Sequence, residues 1–304
     1  MSVSKSTPDD GDEVAPTATR AKVTLSGVTE TLLIPLLGRA TDAARQESIL
    51  GDVYAGRVLE QLEYDFAKLP MPLSHSLAVA MRTRFYDRWT VSFLDRHPRA
   101  TVIHLACGLD SRNQRVSWSN PDVRWIDVDL PEVVALRRQV LPTSLPDGQD
   151  YRLLGADVTS DGWLQEVPRD RPVLVIMEGL VSYLKEEQGK KLLGQLADTF
   201  EEGELHFECM TASIMAATNK RENDAVSKTG TKFQWAVDDP KDLEKIHPRL
   251  RILEAARYVD LASRTSEFPF ASRASFWAMS WVPSIREGIK FVRFEVISER
   301  KLKS

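Results

Sequence analysis

The chain is poor in cysteine. Cys107 and Cys209 are the only two, which excludes a disulfide framework and a four-cysteine zinc site. Both close apolar, strand-like runs, where a buried, reduced thiol is expected. The histidines do not cluster with cysteine or acids at ligand spacing, so no metal site is expected. No run of roughly 18 apolar residues is present, so no membrane span is expected. The N-terminal residues lack the apolar segment of a signal peptide. A cytoplasmic, reduced setting without a membrane partner is the expectation. Positive charge is also not in excess: the net charge is −4, which excludes a generally basic nucleic-acid binder. There is no internal repeat.

What is present suits one large domain. At 304 residues, 42% hydrophobic and 28% charged, the chain can bury a substantial core. Residues 1–22 are rich in Ser, Thr, Asp, Pro and Ala and read as a disordered tail; residues 23–304 read as a single domain. Residues 23–95 look mostly helical, with Thr29 capping a helix that runs past Pro35 toward Ala44. In the stretch 77–94, Leu77, Met81, Phe85, Trp89 and Phe93 recur every four residues and form one broad apolar helical face. Arg82 lies inside that face, and Asp87 points away from it. Arg84 and Arg88 flank the face and read as surface residues. A buried arginine needs a partner, either an acid of this chain or the carboxylate of a ligand, which guanidinium matches bidentately.

The stretch 101–113 organises the rest. Thr101 to Leu105 is a short β-branched run expected of a buried parallel strand. Ala106, Cys107 and Gly108 follow, and a polar segment then opens a helix. Strand, small-residue turn and helix form the geometry in which backbone N–H groups meet a nucleotide-like ligand. Further strand candidates are 123–128, 151–156, 172–177 and 205–210. The next ones end beside Asp127 and Asp129, beside Asp157 and beside Glu178, and in an open α/β sheet such ends line the ligand crevice. Asp127 and Asp129 stand about 20 residues after Gly108, the spacing of a carboxylate that grips ribose hydroxyls. Helix capping ahead of Pro131 is the alternative for Asp129. Glu208, near a strand end, is a candidate general base. Segments 251–256, 275–281 and 291–298 would complete the sheet.

These motifs resemble the class I S-adenosylmethionine-dependent methyltransferases, within them the group of leucine carboxyl methyltransferases and tetracenomycin-type polyketide O-methyltransferases. The resemblance rests on 31–35 (Thr-Leu-Leu-Ile-Pro), 82–87, 105–112 (Leu-Ala-Cys-Gly-Leu-Asp-Ser-Arg), 127–131, 155–157, 178–184 and 233–240, in the family's order. Ala106 stands where the family usually has glycine. The resemblance implies a Rossmann-like α/β fold of seven mostly parallel strands. It also implies that residues 23–95 form a helical cover over the cofactor, with Arg39 facing the site; read alone, Arg39 is a solvated charge. S-adenosyl-L-methionine is the implied cofactor. Arg82 would meet its carboxylate and Glu178 its ammonium. Asp129, with Asp127 second, would take the ribose, and Asp157 the adenine amino group. Helix or Asx-turn capping is the plainer role for Glu178 and Asp157. Tyr183 would wall the transfer channel or simply pack. Residues 211–250 would form a substrate-side insertion with Met215, Phe233 and Trp235 as lining. The implied activity is O-methylation of a small-molecule hydroxyl or carboxylate in polyketide or other specialised metabolism. Methylation of a protein C-terminal carboxylate is the second reading, and a non-catalytic cofactor-binding partner protein the third. Oligomeric state is not legible.

Overall fold

A computed structural model describes residues 20–116, 120–141 and 149–302; most of the expected tail, residues 1–19, lies outside the described residues. Seven strands form one sheet: β1 Thr101–Leu105, β2 Arg124–Asp129, β3 Asp150–Gly155, β4 Val173–Met177, β5 Gly203–Met210, β6 Leu250–Arg257 and β7 Ile289–Val296. Their order is β3-β2-β1-β4-β5-β7-β6. All neighbours are parallel except the two pairs that β7 makes. β1, β4 and β5 are buried along their whole length, as expected of strands covered on both faces; β4 is wholly apolar, whereas β1 buries His104 and β5 buries Glu204, His206 and Glu208.

Alternation along each strand divides the core. Ile103, Leu105, Val175, Met177 and Phe207 face one side, where helix Glu186–Thr199 adds Leu192, Leu193 and Leu196. Val102, Leu174 and Ile176 face the other, where the 24-residue helix Leu73–Arg96 brings Leu77, Met81, Tyr86, Trp89 and Phe93. A third cluster, containing Leu33, Leu36, Ala55 and Val58, joins the N-terminal cover to Leu109 and Leu136. The helices that matter below are α1 Leu33–Ala43, α2 Val53–Glu60, α3 Leu73–Arg96, α4 Pro131–Val140, α5 Glu186–Thr199, α6 Ala212–Asn219, α7 Tyr258–Arg264, α8 Phe270–Met279 and α9 Pro283–Arg286.

Two expectations are corrected. Thr29 does not cap α1. It sits in a 3-10 turn, Gly27–Leu32, and its hydroxyl donates to the Ser26 carbonyl at 2.9 Å. Starting α1 at Leu33 places Pro35 in the first turn, where its missing N–H costs nothing. Residues 275–281 are not a strand: they belong to α8 and the turn after it. The run 270–279 holds three alanines, the best helix former, and it follows Pro269 at the helix start.

Candidate functional site

The carboxyl ends of β1 to β5 lie along one edge, and part of the set singled out by the sequence, Arg82, Gly108, Asp129, Glu178, Tyr183 and Glu208, lies at it. After β1 the chain turns through Ala106 and Gly108, both left-handed at φ +50°. Glycine is suited to this at 108, where a Cβ would also meet Leu32 Cβ of the cover at 3.2 Å. Ala106 carries its methyl group in the same region at a cost of about 1–2 kcal/mol.

Asp129 closes β2 beside that turn. Its Oδ2 accepts from Gly108 N at 2.7 Å and its Oδ1 from Leu130 N at 2.8 Å. Burial pushes its carboxyl up to about 6, although both N–H groups favour the charged form. Among the described residues no side-chain cation pairs with it directly, and each oxygen keeps acceptor capacity.

Asp127 does something else. It is fully buried. Arg137 of α4 donates to Oδ2 at 2.6 Å, Tyr151 Oη to Oδ2 at 2.9 Å, and Trp125 Nε1 to Oδ1 at 2.8 Å. Trp125 and Asp127, two apart on the strand, share a face, and both are fully buried. The expected ribose contact for Asp127 is therefore corrected to a positioning role. It fixes Arg137, whose NH1 donates to the carbonyls of Gly108 at 2.9 Å and Asp110 at 2.7 Å.

Arg39 is likewise neither solvated nor turned toward the crevice. It is buried, donating to Asp52 Oδ2 at 3.1 Å and to the Leu109 carbonyl at 3.0 Å. It pins the cover to the turn. Asp52 caps α2 and also takes Ser111 Oγ at 2.6 Å and Arg115 NH1 at 2.9 Å. Asp87 is not solvent-directed either: Arg112 Nε and Arg115 Nε reach it, each at 2.7 Å. Arg84 is half-buried against Glu267, whereas Arg88 is exposed.

Glu178 stands one residue beyond β4 and Glu208 near the end of β5. Glu178 accepts from Arg82 Nε at 2.8 Å, from Thr83 Oγ1 at 2.9 Å and from Arg112. Burial alone would raise it, but Arg112 and Arg82 together hold it well below the usual carboxylate range. Glu208 accepts from Tyr86 Oη at 2.8 Å and Gly179 N at 2.6 Å, with Arg82 NH1 at 3.5 Å. Its carboxyl is raised: burial pushes it up, Arg82 pulls it back, and Glu178 adds to the rise. Arg82 thus bridges two acids, and its side chain is 24% exposed against 5% and 11% for theirs. The cation is the accessible member.

Tyr183, in the 3-10 turn Val181–Tyr183, faces the same region. Its ring lies 4.7 Å from that of Phe233. Burial raises its phenol to about 12, tempered by Arg82. Asp157 follows β3 and is exposed; its Oδ1 accepts from Thr159 N at 2.9 Å and from Thr159 Oγ1 at 2.8 Å. The Asx turn is formed, and Oδ2 has no hydrogen bond among the described residues. Trp235 is core, not lining: at 4% exposure it packs on α5.

Arg112 and Arg137, both fully or almost fully buried, were not singled out in the sequence. Arg112 lies inside the motif 105–112, so the sequence carries a signal for it. Arg137 lies in an ordinary amphipathic helix and gives none. Among the described residues no group of acids, histidines and cysteines could hold a metal ion, and no helix is long and apolar enough to cross a membrane. Both thiols are free and buried, and burial pushes Cys209 up to about 12.

The strand order, the left-handed turn after β1 and the acids closing β2 and β4 define a class I methyltransferase fold. A crystal structure of a Thermobifida fusca protein shares the fold, with a TM-score of 0.52 and 18% identity, covering 86% of this chain and 95% of that one. Residues 33–197 match the leucine carboxyl methyltransferase family, and the chain belongs to it. It is 38% identical over 252 residues to the S-adenosyl-L-methionine-dependent methyltransferase dpfgK of Gibberella zeae, covering 78% of this chain and 85% of that protein. It is also 38% identical over 239 residues to the tetracenomycin polyketide synthesis O-methyltransferase TcmP of Streptomyces glaucescens, covering 78% and 86%.

Proposed function

We propose that the chain is an S-adenosylmethionine-dependent O-methyltransferase acting on a small-molecule hydroxyl or carboxylate, in polyketide or other specialised metabolism. The observation that carries this is the accessible Arg82 between Glu178 and Glu208, at the same strand-end edge of the sheet as the Gly108–Asp129 turn. A nucleoside with an amino-acid tail needs an acceptor for its ribose, a cation for its carboxylate and an anion for its ammonium. Asp129, Arg82 and Glu178 are that set, with Asp157 at hand for the adenine amino group.

When bound, the cofactor supplies a methyl group on a positive sulfur that departs as a neutral thioether. The chain must align an acceptor oxygen with that methyl and keep water out. Where the acceptor is a hydroxyl, Glu208 accepts its proton; its raised carboxyl is better matched to that task than an ordinary one. Where it is a carboxylate, no proton moves. Tyr183 and Phe233 wall the approach to this edge.

Incubation with methyl-labelled S-adenosylmethionine and a panel of phenols, enols, carboxylic acids and a peptide ending in a free carboxylate tests the reading. Label in small molecules is expected. Glu208→Gln should lower kcat for a hydroxyl acceptor by about 10²–10⁴ while S-adenosylhomocysteine still binds. Label confined to the peptide would overturn the small-molecule reading.

A further inference from the structure

Three helices at the crevice edge bury no side chain fully. α6, α8 and α9 contain no buried residue, although α8 carries Phe270, Phe276, Trp277 and Met279. Six of the twelve large apolar side chains that stand exposed among the described residues fall within 270–285, led by Phe270 at 82%, Trp281 at 73% and Trp277 at 60%. A contiguous apolar face of this kind marks an interaction surface.

Its position says what it meets. Residues 258–288 connect β6 to β7. Arg257 pairs with Lys290, and Met210 at the end of β5 pairs with Ile289. The segment therefore rises from the same edge as Glu178 and Glu208. An aromatic series joins the two places. Phe276 meets Tyr258 edge-on at 5.8 Å, Tyr258 meets Phe291 at 6.4 Å, and Phe291 meets Tyr86 at 5.7 Å. Tyr86 is the residue that donates to Glu208. The Tyr258 hydroxyl has no hydrogen bond among the described residues, and Arg82 is the charge it feels. Farther out, Trp277 and Trp281 meet edge-on at 5.8 Å. The acids of the segment are already matched: Asp260 and Glu287 with Arg257, and Glu267 with Arg84. The face thus carries no unpaired carboxylate to repel an apolar body.

We infer that residues 258–285 form the acceptor-binding face, and that the acceptor has an elongated apolar body. Its reacting oxygen lies toward Glu208 and Tyr258, and its body lies along Phe276, Trp277 and Trp281. The inference rests on the methyl-transfer reading above. A short acceptor would leave the outer aromatics in water; a long one covers them.

The test uses the full chain saturated with S-adenosylhomocysteine and titrated with 4-alkylphenols from ethyl to octyl in a calorimeter. Affinity should rise about two- to fourfold per methylene, the upper figure corresponding to full burial. Replacing both tryptophans (Trp277→Ser with Trp281→Ser) should flatten that rise while S-adenosylhomocysteine affinity and melting temperature stay unchanged, since both side chains are exposed. Three outcomes overturn the inference: no binding or a flat series in the unaltered chain, an unflattened series in the double variant, or a dimer in sedimentation that the double variant dissolves. Transfer of label to the same phenols is measured separately. Its absence alongside a rising binding series counts against methyl transfer to hydroxyls, not against the face.

Discussion

At the scale of single residues, Asp127 and Asp129 sit two positions apart on one strand and do different work. Asp127→Asn leaves the Arg137 guanidinium without its charged partner in the interior. It should cost roughly 3–5 kcal/mol of stability, the range for breaking a buried pair, and appear as a large drop in melting temperature. Asp129→Asn should act on binding instead. Asn replaces one acceptor oxygen with a donor, although two N–H groups already point at that carboxylate. The pH dependence follows from burial, which pushes Asp129 up to about 6. A carboxyl raised in the fold contributes stability below its unfolded value that is lost as pH rises through the folded one. Hydroxyl donors of a cofactor need the charged form, so S-adenosylhomocysteine affinity should climb from pH 5 to about 6.5 and then level. In Asp129→Asn it should be weaker and flat across that range; calorimetry that finds the same climb in the variant would refute the assignment. Ala106 offers a third test. Glycine there removes about 1–2 kcal/mol of left-handed strain and returns about 0.4–1 kcal/mol to the unfolded chain as entropy. Ala106→Gly should therefore melt slightly higher, and a lower melting temperature would show that the methyl group packs usefully.

At the scale of elements, α3 and the cover build the site. α3 sets Arg82, Thr83, Tyr86 and Asp87 on successive turns beneath the strand ends, so one helix supplies partners for Glu178, Glu208, Arg112 and Arg115. The cover is fastened to the turn by Arg39 and Asp52 rather than laid over it. On the other face, α5 meets the segment after β5 through a close approach: a Cβ at Gly189 would lie 2.0 Å from Trp235 Cζ3. Gly189→Ala cannot be absorbed by a flexible side-chain tip, because the clash is with an indole ring buried in the core. It should destabilise by roughly 1–3 kcal/mol or more, as overpacking does, and shift the tryptophan emission. A variant with unchanged melting and emission would mean that the segment is loosely held.

At the scale of the whole molecule, buried titratable groups set the response to acid. His104 and His206 are held neutral down to about 4, by burial above all. A histidine lowered in the fold contributes stability above its unfolded value of about 6.5 that is lost as pH falls toward the folded value. Glu204 is drawn down to about 2, because His206, Arg96 and Arg293 outweigh its burial, and Glu178 is also lowered. Those contributions are lost below pH 4.5. Asp129 and Glu208 run the other way, but neither is tied into as many charged partners. The melting temperature should fall from pH 7 to 4 and more steeply below, and His206→Gln should soften the upper part of the fall. A melting temperature that rises between pH 6.5 and 4.5 would show that the raised acids dominate.

The sequence by itself determined the architecture. Apolar runs of strand length, interrupted by small-residue turns and amphipathic helices, admit few foldings other than an open parallel sheet. The acids at the run ends mark the crevice because side-chain period and strand length are local properties. It also placed Arg82 on an inward face and Glu178 and Glu208 at strand ends. Only the tertiary structure decided which acid meets which arginine. Asp127 and Asp129 have the same local context, yet among the described residues one pairs with Arg137 from α4 and the other takes its hydrogen bonds from backbone N–H groups. Arg39, Asp52, Asp87, Arg112 and Arg115 read as scattered charges until α1, α2, α3 and the turn after β1 converge. Segment 275–281 reads as strand by its apolar content and lies in a helix and the turn after it. Pairing of buried charges depends on which elements share an interior, and contacts between residues dozens of positions apart leave no periodic trace in a single sequence.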